Sequence, residues 1–319
     1  MKKLYILLFL LILITVSFYI FYKEGSLPVN KKGSVSTIFI IKPGESLNII
    51  SNNLSNQGLI RNKIIFYLIV KQLGIDRKIQ AGEFKISPDM TANEVAKNLT
   101  HGTLDIRVTL IEGTRKEEMA QVISKNFNIT EVEFIKAANE GYIFPDTYDF
   151  PRVATTETIL LKINETFKNK FDQKLHEMAK NKGLTEKQVL ILASLVEREA
   201  RQSSTRQKVA SIILKRYLAD WPLDLDATVQ YALGYQVEEK NWWKTDLTNE
   251  DKKIDSSYNT YKNKGLPPGP ICNPSLSSIE AVINADENTP YWYYLTDKNG
   301  VMHYSVTLEE HQNNVNKYL

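Results

Sequence analysis

From Val189 to Ala200 the chain reads Val189-Leu190-Ile191-Leu192-Ala193-Ser194-Leu195-Val196-Glu197-Arg198-Glu199-Ala200. Thr185 and Gln188 ahead of it have the spacing of a capping box, so the segment is predicted to be a helix. On a helical wheel its apolar residues run almost all the way round. Such a helix must be enclosed by other elements, which demands a domain with a sizeable core. Yet its end carries two carboxylates, Glu197 and Glu199. A buried Glu is costly unless it is paired or employed. An apolar surrounding also raises a carboxyl pKa, which a general acid working near neutral pH requires.

The 319 residues allow two or three domains. A net charge of +3 with 24% charged residues gives no basic field of the kind nucleic acid attracts. Cys272 is the sole cysteine, so no intramolecular disulfide can form. His101, His176, His303 and His311 are scattered without metal-ligand spacing, and no Gly-rich phosphate loop occurs. No metal or cofactor is expected.

The N-terminus carries the strongest localisation signal. Lys2 and Lys3 precede an uncharged run, Leu4 to Tyr22. It is close to the ~20 residues a membrane-spanning helix needs. It exceeds the roughly 7–15 apolar residues of a cleaved signal, and no Ala-x-Ala site follows. The run reads as an uncleaved single-pass anchor. The leading lysines favour a cytoplasmic N-terminus, with everything after Lys23 outside. A large exterior body without disulfides suggests a bacterial envelope protein.

The body reads as α+β. Residues 24–36 look like a Gly, Ser, Lys and Asn-rich linker. Thr37–Ile41 is predicted as a strand. Helices follow from Leu47 toward Gly58 and from Ile64 to Leu73. Gly82–Ile86 is a second strand, and Thr91 opens a short helix with Glu94 in a capping box. Together, 37–105 forms a compact α+β module. Residues 106–155 read as a connecting region: a strand at Arg107–Ile111, a helical region from Arg115 to about Asn139, and an aromatic-rich loop, Glu140 to Phe150. From 156 to 319 comes a mixed α+β domain. It holds a long helix Glu157–Asn181, the buried Glu helix, a helix Thr205–Leu218 and a loop-rich final hundred residues. A hairpin is expected there between Tyr291–Leu295 and Val301–Ser305.

Glu197 and Glu199 lie about 200° apart on a helix and cannot face the same way. Beside Glu197 are Ala193, Ser194, Ala200 and Arg201, mostly small residues that leave room for a groove. Glu199 sits between Leu192, Leu195 and Val196, embedded in packing. Glu197 is therefore the preferred acid, with Glu199 and Ser194 structural. The alternative is that both carboxylates belong to buried salt bridges. Asp226 is expected as the N-cap of a helix Ala227–Leu233. The competing role is a second carboxylate across a glycosidic bond. Ser257-Tyr258-Asn259-Thr260-Tyr261, followed by Gly265-Leu266-Pro267-Pro268-Gly269-Pro270, forms a polar and then rigid loop suited to sugar hydroxyls. A plain connecting loop is the alternative. His303 could act as a base, although a lone His is more often a hydrogen-bonded structural residue.

Several of these segments converge on one family. Ala193–Glu199, the loop Glu140-Gly141-Tyr142-Ile143-Phe144-Pro145-Asp146-Thr147-Tyr148, and Tyr258–Tyr261 with Gly265–Ile271 together resemble the endolytic murein transglycosylases, the MltG or YceG-like family. His303-Tyr304-Ser305 and Glu310-His311 are similar to its C-terminal end. Residues 37–104, with Pro43-Gly44-Glu45-Ser46, are similar to its LysM-like domain. The resemblance implies a peptidoglycan lytic transglycosylase that cuts the MurNAc-GlcNAc bond within nascent glycan strands. The products are 1,6-anhydro-MurNAc ends, and elongation stops. It implies Glu197 as the catalytic glutamate, and Asp226, Thr228, Tyr258, Asn259, Thr260, Pro268, Gly269 and His303 as substrate-binding residues. It also implies peptidoglycan synthases as partners at the membrane. The family's Asp-Pro-Thr-Val is Asp226-Ala227-Thr228-Val229 here, without the stiffening proline. The rival expectations are a hydrolytic muramidase using Glu197 with Asp226, and a non-catalytic wall-binding scaffold.

Overall fold

A computed structural model describes residues 2–30, 35–100, 105–152, 154–200 and 202–319, with only the backbone for 2–7. It is mixed α+β and divides into two compact units. One runs to Arg107 and includes Asp149–Thr155; the other comprises Val108–Tyr148 and Thr156–Leu319.

The first unit begins with one long helix, α1 (Lys2–Ser26). Its stretch Leu8–Ser26 is long and apolar enough to cross a membrane. Strands β1 (Thr37–Ile41) and β2 (Gly82–Ile86) pair antiparallel, with Thr37 opposite Ile86 and Ile41 opposite Gly82. Between them lie α2 (Leu47–Asn56) and α3 (Lys63–Gln72), and α4 (Ala92–Asn98) follows. The helix starts are those the sequence predicts. Ser46 and Asn62 cap α2 and α3, and Thr91 forms its capping box with Glu94. Alternation along β1 turns Phe39 and Ile41 inward, against Ile50, Leu54, Ile65, Phe66, Phe84 and Val95.

The segment expected to be a linker differs. Helix α1 continues to Ser26, and its end is bonded to the unit. Tyr22 donates its hydroxyl to Gln72 at 3.0 Å, Arg61 pairs with Glu24, and Arg61 donates to the Pro28 carbonyl at 2.6 Å. Gly25 makes this docking possible, because a Cβ there would lie 2.7 Å from Ile65 Cγ1. The rest of the linker expectation, 31–34, lies outside the described residues, as do 101–104 with His101 and Leu104.

Strands β3 (Ile106–Thr109) and β4 (Thr147–Phe150) pair with each other. In the second unit, α5 (Lys116–Asn126) and α6 (Glu131–Ala137) make up the helical region predicted over Arg115–Asn139. The long helix predicted over Glu157–Asn181 is two, α7 (Thr156–Lys170) and α8 (Gln173–Asn181). The break falls where Phe171 is fully buried and the Asp172 carboxylate accepts from Leu175 N, capping a new helix. At the centre lies α9 (Glu186–Glu199), opened by the Thr185–Gln188 capping box and buried from Val189 through Val196. It packs against α10 (Ser203–Leu218), α11 (Asp226–Leu233) and α12 (Leu276–Ile283). The hairpin β5 (Tyr293–Thr296) and β6 (Met302–Ser305) pairs Tyr294 with Tyr304, and α13 (Leu308–Tyr318) closes the chain. Helices α12 and α13 stand where loops were predicted, because each spans few residues and draws its apolar face from tertiary packing.

Candidate active site

The C-terminal end of α9 holds both carboxylates, in opposite surroundings. Glu197 Oε1 accepts from Arg206 Nη2 at 2.7 Å, and Oε2 accepts from Ser275 N at 2.9 Å and Ser275 Oγ at 2.6 Å. Its side chain is 5% exposed. Arg206 is held in turn by the Ala200 carbonyl at 3.2 Å and Ser275 Oγ at 2.8 Å. This is a buried, hydrogen-bonded ion pair, and Glu197 lines neither of the clefts that Glu199 borders. The small residues that suggested a groove admit protein. Ser194 Oγ accepts from Ile271 N at 3.1 Å, the Cys272 thiol lies 3.4 Å from the Ser194 carbonyl, and Ala193 and Ala200 are fully buried. Arg201, the fourth residue of that expectation, lies outside the described residues.

Glu199 is partly buried and borders two clefts. It lines a cleft of about 390 Å³ with Arg198, Gln202, Asp297 and Lys298, and a second of about 530 Å³ with Arg216, Asp226, Lys252, Tyr261 and Tyr294. Tyr294 donates its hydroxyl to Glu199 Oε2 at 3.1 Å. Burial pushes the Glu199 pKa up to about 7, and the negative charge of Asp226 adds to the rise. The Tyr294 hydrogen bond and the cations Arg198 and Arg216 oppose it. Arg198 lies over Trp243, 3.7 Å from the ring centroid, and donates to the Gly113 carbonyl at 3.3 Å. The end of α9 is thereby pinned.

Asp226 is the first residue of α11; Leu225 holds the N-cap position, so the predicted cap is one residue out. The Asp226 carboxylate instead accepts from Tyr261 Oη at 2.6 Å and pairs with Lys252 Nζ at 2.8 Å. Its side chain is 53% exposed.

Thr228, Asn259 and Thr260, expected to bind sugar, are buried and line neither cleft of Glu199. Thr228 Oγ1 donates to the Leu225 carbonyl at 2.7 Å and lies 2.9 Å from Thr260 Oγ1, which accepts from Leu225 N at 3.0 Å. Asn259 Nδ2 donates to the carbonyls of Lys252 and Ile254 at 3.0 and 2.9 Å, and its Oδ1 accepts from Tyr261 N at 3.0 Å. These side chains hold Lys252 and Tyr261 at the cleft wall. Tyr258 packs against Tyr231 at 4.7 Å, with its hydroxyl against Gly269. Pro268 is exposed, Gly269 is partly so, and neither borders the clefts of Glu199. His303 Nε2 lies 3.0 Å from Asp297 Oδ2, and its ring stacks on Tyr318 at 3.7 Å, so it stands behind the cleft wall.

Sequence reasoning did not single out Lys252 and Arg216, which line the larger cleft together with Glu199. Tyr294 belongs to a strand whose aromatic run reads as core, and no spacing connects Lys252 to Asp226.

Away from the clefts, Asn273 ties the family-like loops together. Its Oδ1 accepts from Gly141 N at 2.8 Å and Ile143 N at 3.0 Å, and its Nδ2 donates to Glu140 Oε1 at 2.8 Å. Burial pushes the Glu140 carboxyl up to about 8.

A carboxyl pushed up to about 7 at the junction of two polar clefts, on an α+β frame, is suited to general acid–base chemistry. The chain belongs to the YceG-like family, whose pattern matches residues 39–317. It is 32% identical over 325 residues to the endolytic murein transglycosylase of Bacillus subtilis, covering 92% of this chain and 87% of that protein. It is 25% identical to the endolytic murein transglycosylase of Streptococcus pneumoniae, spanning 94% of this chain and 62% of that longer protein. A crystal structure of a YceG-like protein from Listeria monocytogenes superposes with a TM-score of 0.58 at 27% identity, over 87% of this chain and 98% of the other.

Proposed function

We propose that this chain is a membrane-anchored peptidoglycan lytic transglycosylase that cuts glycan strands internally, with Glu199 as its general acid. The observation that carries the reading is the Glu199 carboxyl, held near neutral pKa and bordering two clefts, in a chain 32% identical to a murein transglycosylase. Glu197 cannot easily serve, since Arg206 and Ser275 occupy both its oxygens.

In this reading protonated Glu199 donates to the glycosidic oxygen leaving C1 of N-acetylmuramic acid. As the C1–O bond breaks, the C6 hydroxyl oxygen of the same sugar bonds to C1. Its proton passes to the Glu199 carboxylate. One residue serves as acid and then base, no water is consumed, and the product ends in 1,6-anhydro-muramic acid. The internal nucleophile supplies much of the rate by proximity. Tyr294 and Asp226 set the proton affinity of Glu199, and Lys252, Tyr261 and Lys298 are suited to sugar hydroxyl, acetamido and carboxylate groups.

The strand–helix–helix–strand order of the first unit supports a LysM-like module over 37–105, joined by 106–155 to a catalytic domain over 156–319. The apolar stretch of α1 supports an anchor, and Lys2 and Lys3 favour a cytoplasmic N-terminus with the body outside. Such an anchor would keep the enzyme beside nascent strands and the synthases that make them.

The test is mass spectrometry of muropeptides released by the full-length protein from purified peptidoglycan. Anhydro ends are expected, and Glu199→Gln should reduce their release by roughly 10²–10⁴-fold. Products heavier by one water would favour the second reading, a muramidase, because Asp226 shares the Glu199 cleft and could activate water. Wild-type release by Glu199→Gln would overturn the assignment of the acid.

A further inference from the structure

We propose that the loop closing α3, Leu73 to Lys78, is a membrane-contact surface that rests in the headgroup layer of an anionic phospholipid bilayer. The proposal rests on the reading of α1 as a membrane-crossing helix. The stretch of α1 apolar enough to cross, Leu8–Ser26, overlaps the turn that is bonded to the first unit. Tyr22 ends the uncharged run, and a Tyr at the end of a span lies at headgroup level. Its hydroxyl donates to Gln72, the last residue of α3. Gly25, one turn further along α1, packs instead on Ile65 near the start of α3. Helix α3 therefore lies against α1 with its C-terminal end toward the apolar stretch and its N-terminal end away. From Ile65 to Gln72 is about 10 Å of helix rise. That direction brings the loop after Gln72 to the bilayer surface.

The composition of the loop matches that position. Leu73 is 39% exposed, and Arg77 and Lys78 are exposed beside it. Asp76, the one acid of the loop, is paired with Lys71 of α3 at 2.6 Å, so the positive charge of Arg77 and Lys78 remains. Glu24, the nearest acid of α1, is likewise held by Arg61. Ile75 and Ile79 pack inward on the core, and backbone bonds from Gly74 N to the Lys71 carbonyl and from Lys78 N to the Ile75 carbonyl fix the turn. An apolar tip flanked by cations matches the chemistry of an anionic lipid surface.

The test uses the full chain in phosphatidylcholine vesicles with and without phosphatidylglycerol. A nitrobenzoxadiazole label is attached at Leu73→Cys, Ile49→Cys or Phe18→Cys, and the unsubstituted chain with its buried Cys272 serves as blank. In vesicles with phosphatidylglycerol, a headgroup-level nitroxide lipid should quench the label at 73 at least about threefold more than the label at 49. Adding Arg77→Glu and Lys78→Glu, or removing phosphatidylglycerol, should bring quenching at 73 toward that at 49. Equal quenching at 73 and 49, with the label at 18 quenched by a deep nitroxide, would overturn the contact and leave the anchor standing. Equal quenching at 73 with and without phosphatidylglycerol would overturn the anionic preference. An unquenched label at 18 would remove the anchor itself, and the proposal with it.

Discussion

Two glutamates two positions apart on α9 meet opposite fates, and the difference is one of partners. Glu197 is an acceptor saturated by a guanidinium and a serine; Glu199 has one phenolic donor and an open cleft. Glu197→Gln should therefore act on folding. Removing one member of a buried pair leaves Arg206 uncompensated, at a cost on the order of 3 kcal/mol, read as a lower thermal midpoint. Glu199→Gln should leave that midpoint unchanged or higher, since it removes a carboxyl whose ionisation burial disfavours. The pH profile follows from the same residue. A general acid must be protonated, so cleavage should fall as pH rises through about 7. The Tyr294 hydroxyl favours the ionised form of Glu199, so Tyr294→Phe should move this limb to higher pH. Asp226→Asn removes a repelling charge and should move it to lower pH. A limb that stays put in both variants would mean another group titrates.

At the scale of elements, the site depends on loops held by backbone geometry. Gly141 has φ +85° and faces Pro270, whose Cγ would lie 2.5 Å from an added Cβ. Gly141→Ala combines left-handed strain with a collision against a rigid ring, and a loss of roughly 3 kcal/mol is expected in denaturant unfolding. Asn273 binds the same loop from the other side, so the Glu140–Phe144 segment and the Gly265–Asn273 segment stand or fall together. Neither borders the clefts of Glu199, and what they share is the backbone register behind α9.

At the scale of the whole molecule, the proposed anchor must survive in lipid. The side chain of Ile14 is 63% exposed on α1, and Ile14→Lys would bring a charge to the middle of the apolar stretch at about 3 kcal/mol. The variant should leave the membrane fraction on cell fractionation; retention at wild-type level would argue against a spanning α1. Much of this architecture was legible in the sequence, because local rules wrote it. The Thr185–Gln188 and Thr91–Glu94 boxes start α9 and α4 where spacing predicts, and β2 covers the predicted Gly82–Ile86. The buried character of α9 followed from its apolar wheel alone. Its functional face did not, because small residues at Ala193 and Ser194 signal close approach without saying by what. Only tertiary packing brings the Ile271–Ser275 segment against Ser194 and Glu197. The same holds for Asn259 and Thr260, polar by composition yet spent on backbone carbonyls and neighbouring hydroxyls. Sequence determined which elements form and that a carboxylate had to be reckoned with on α9. Tertiary structure decided which carboxylate stays free, because a pKa is set by burial and by charges brought together from distant parts of the chain.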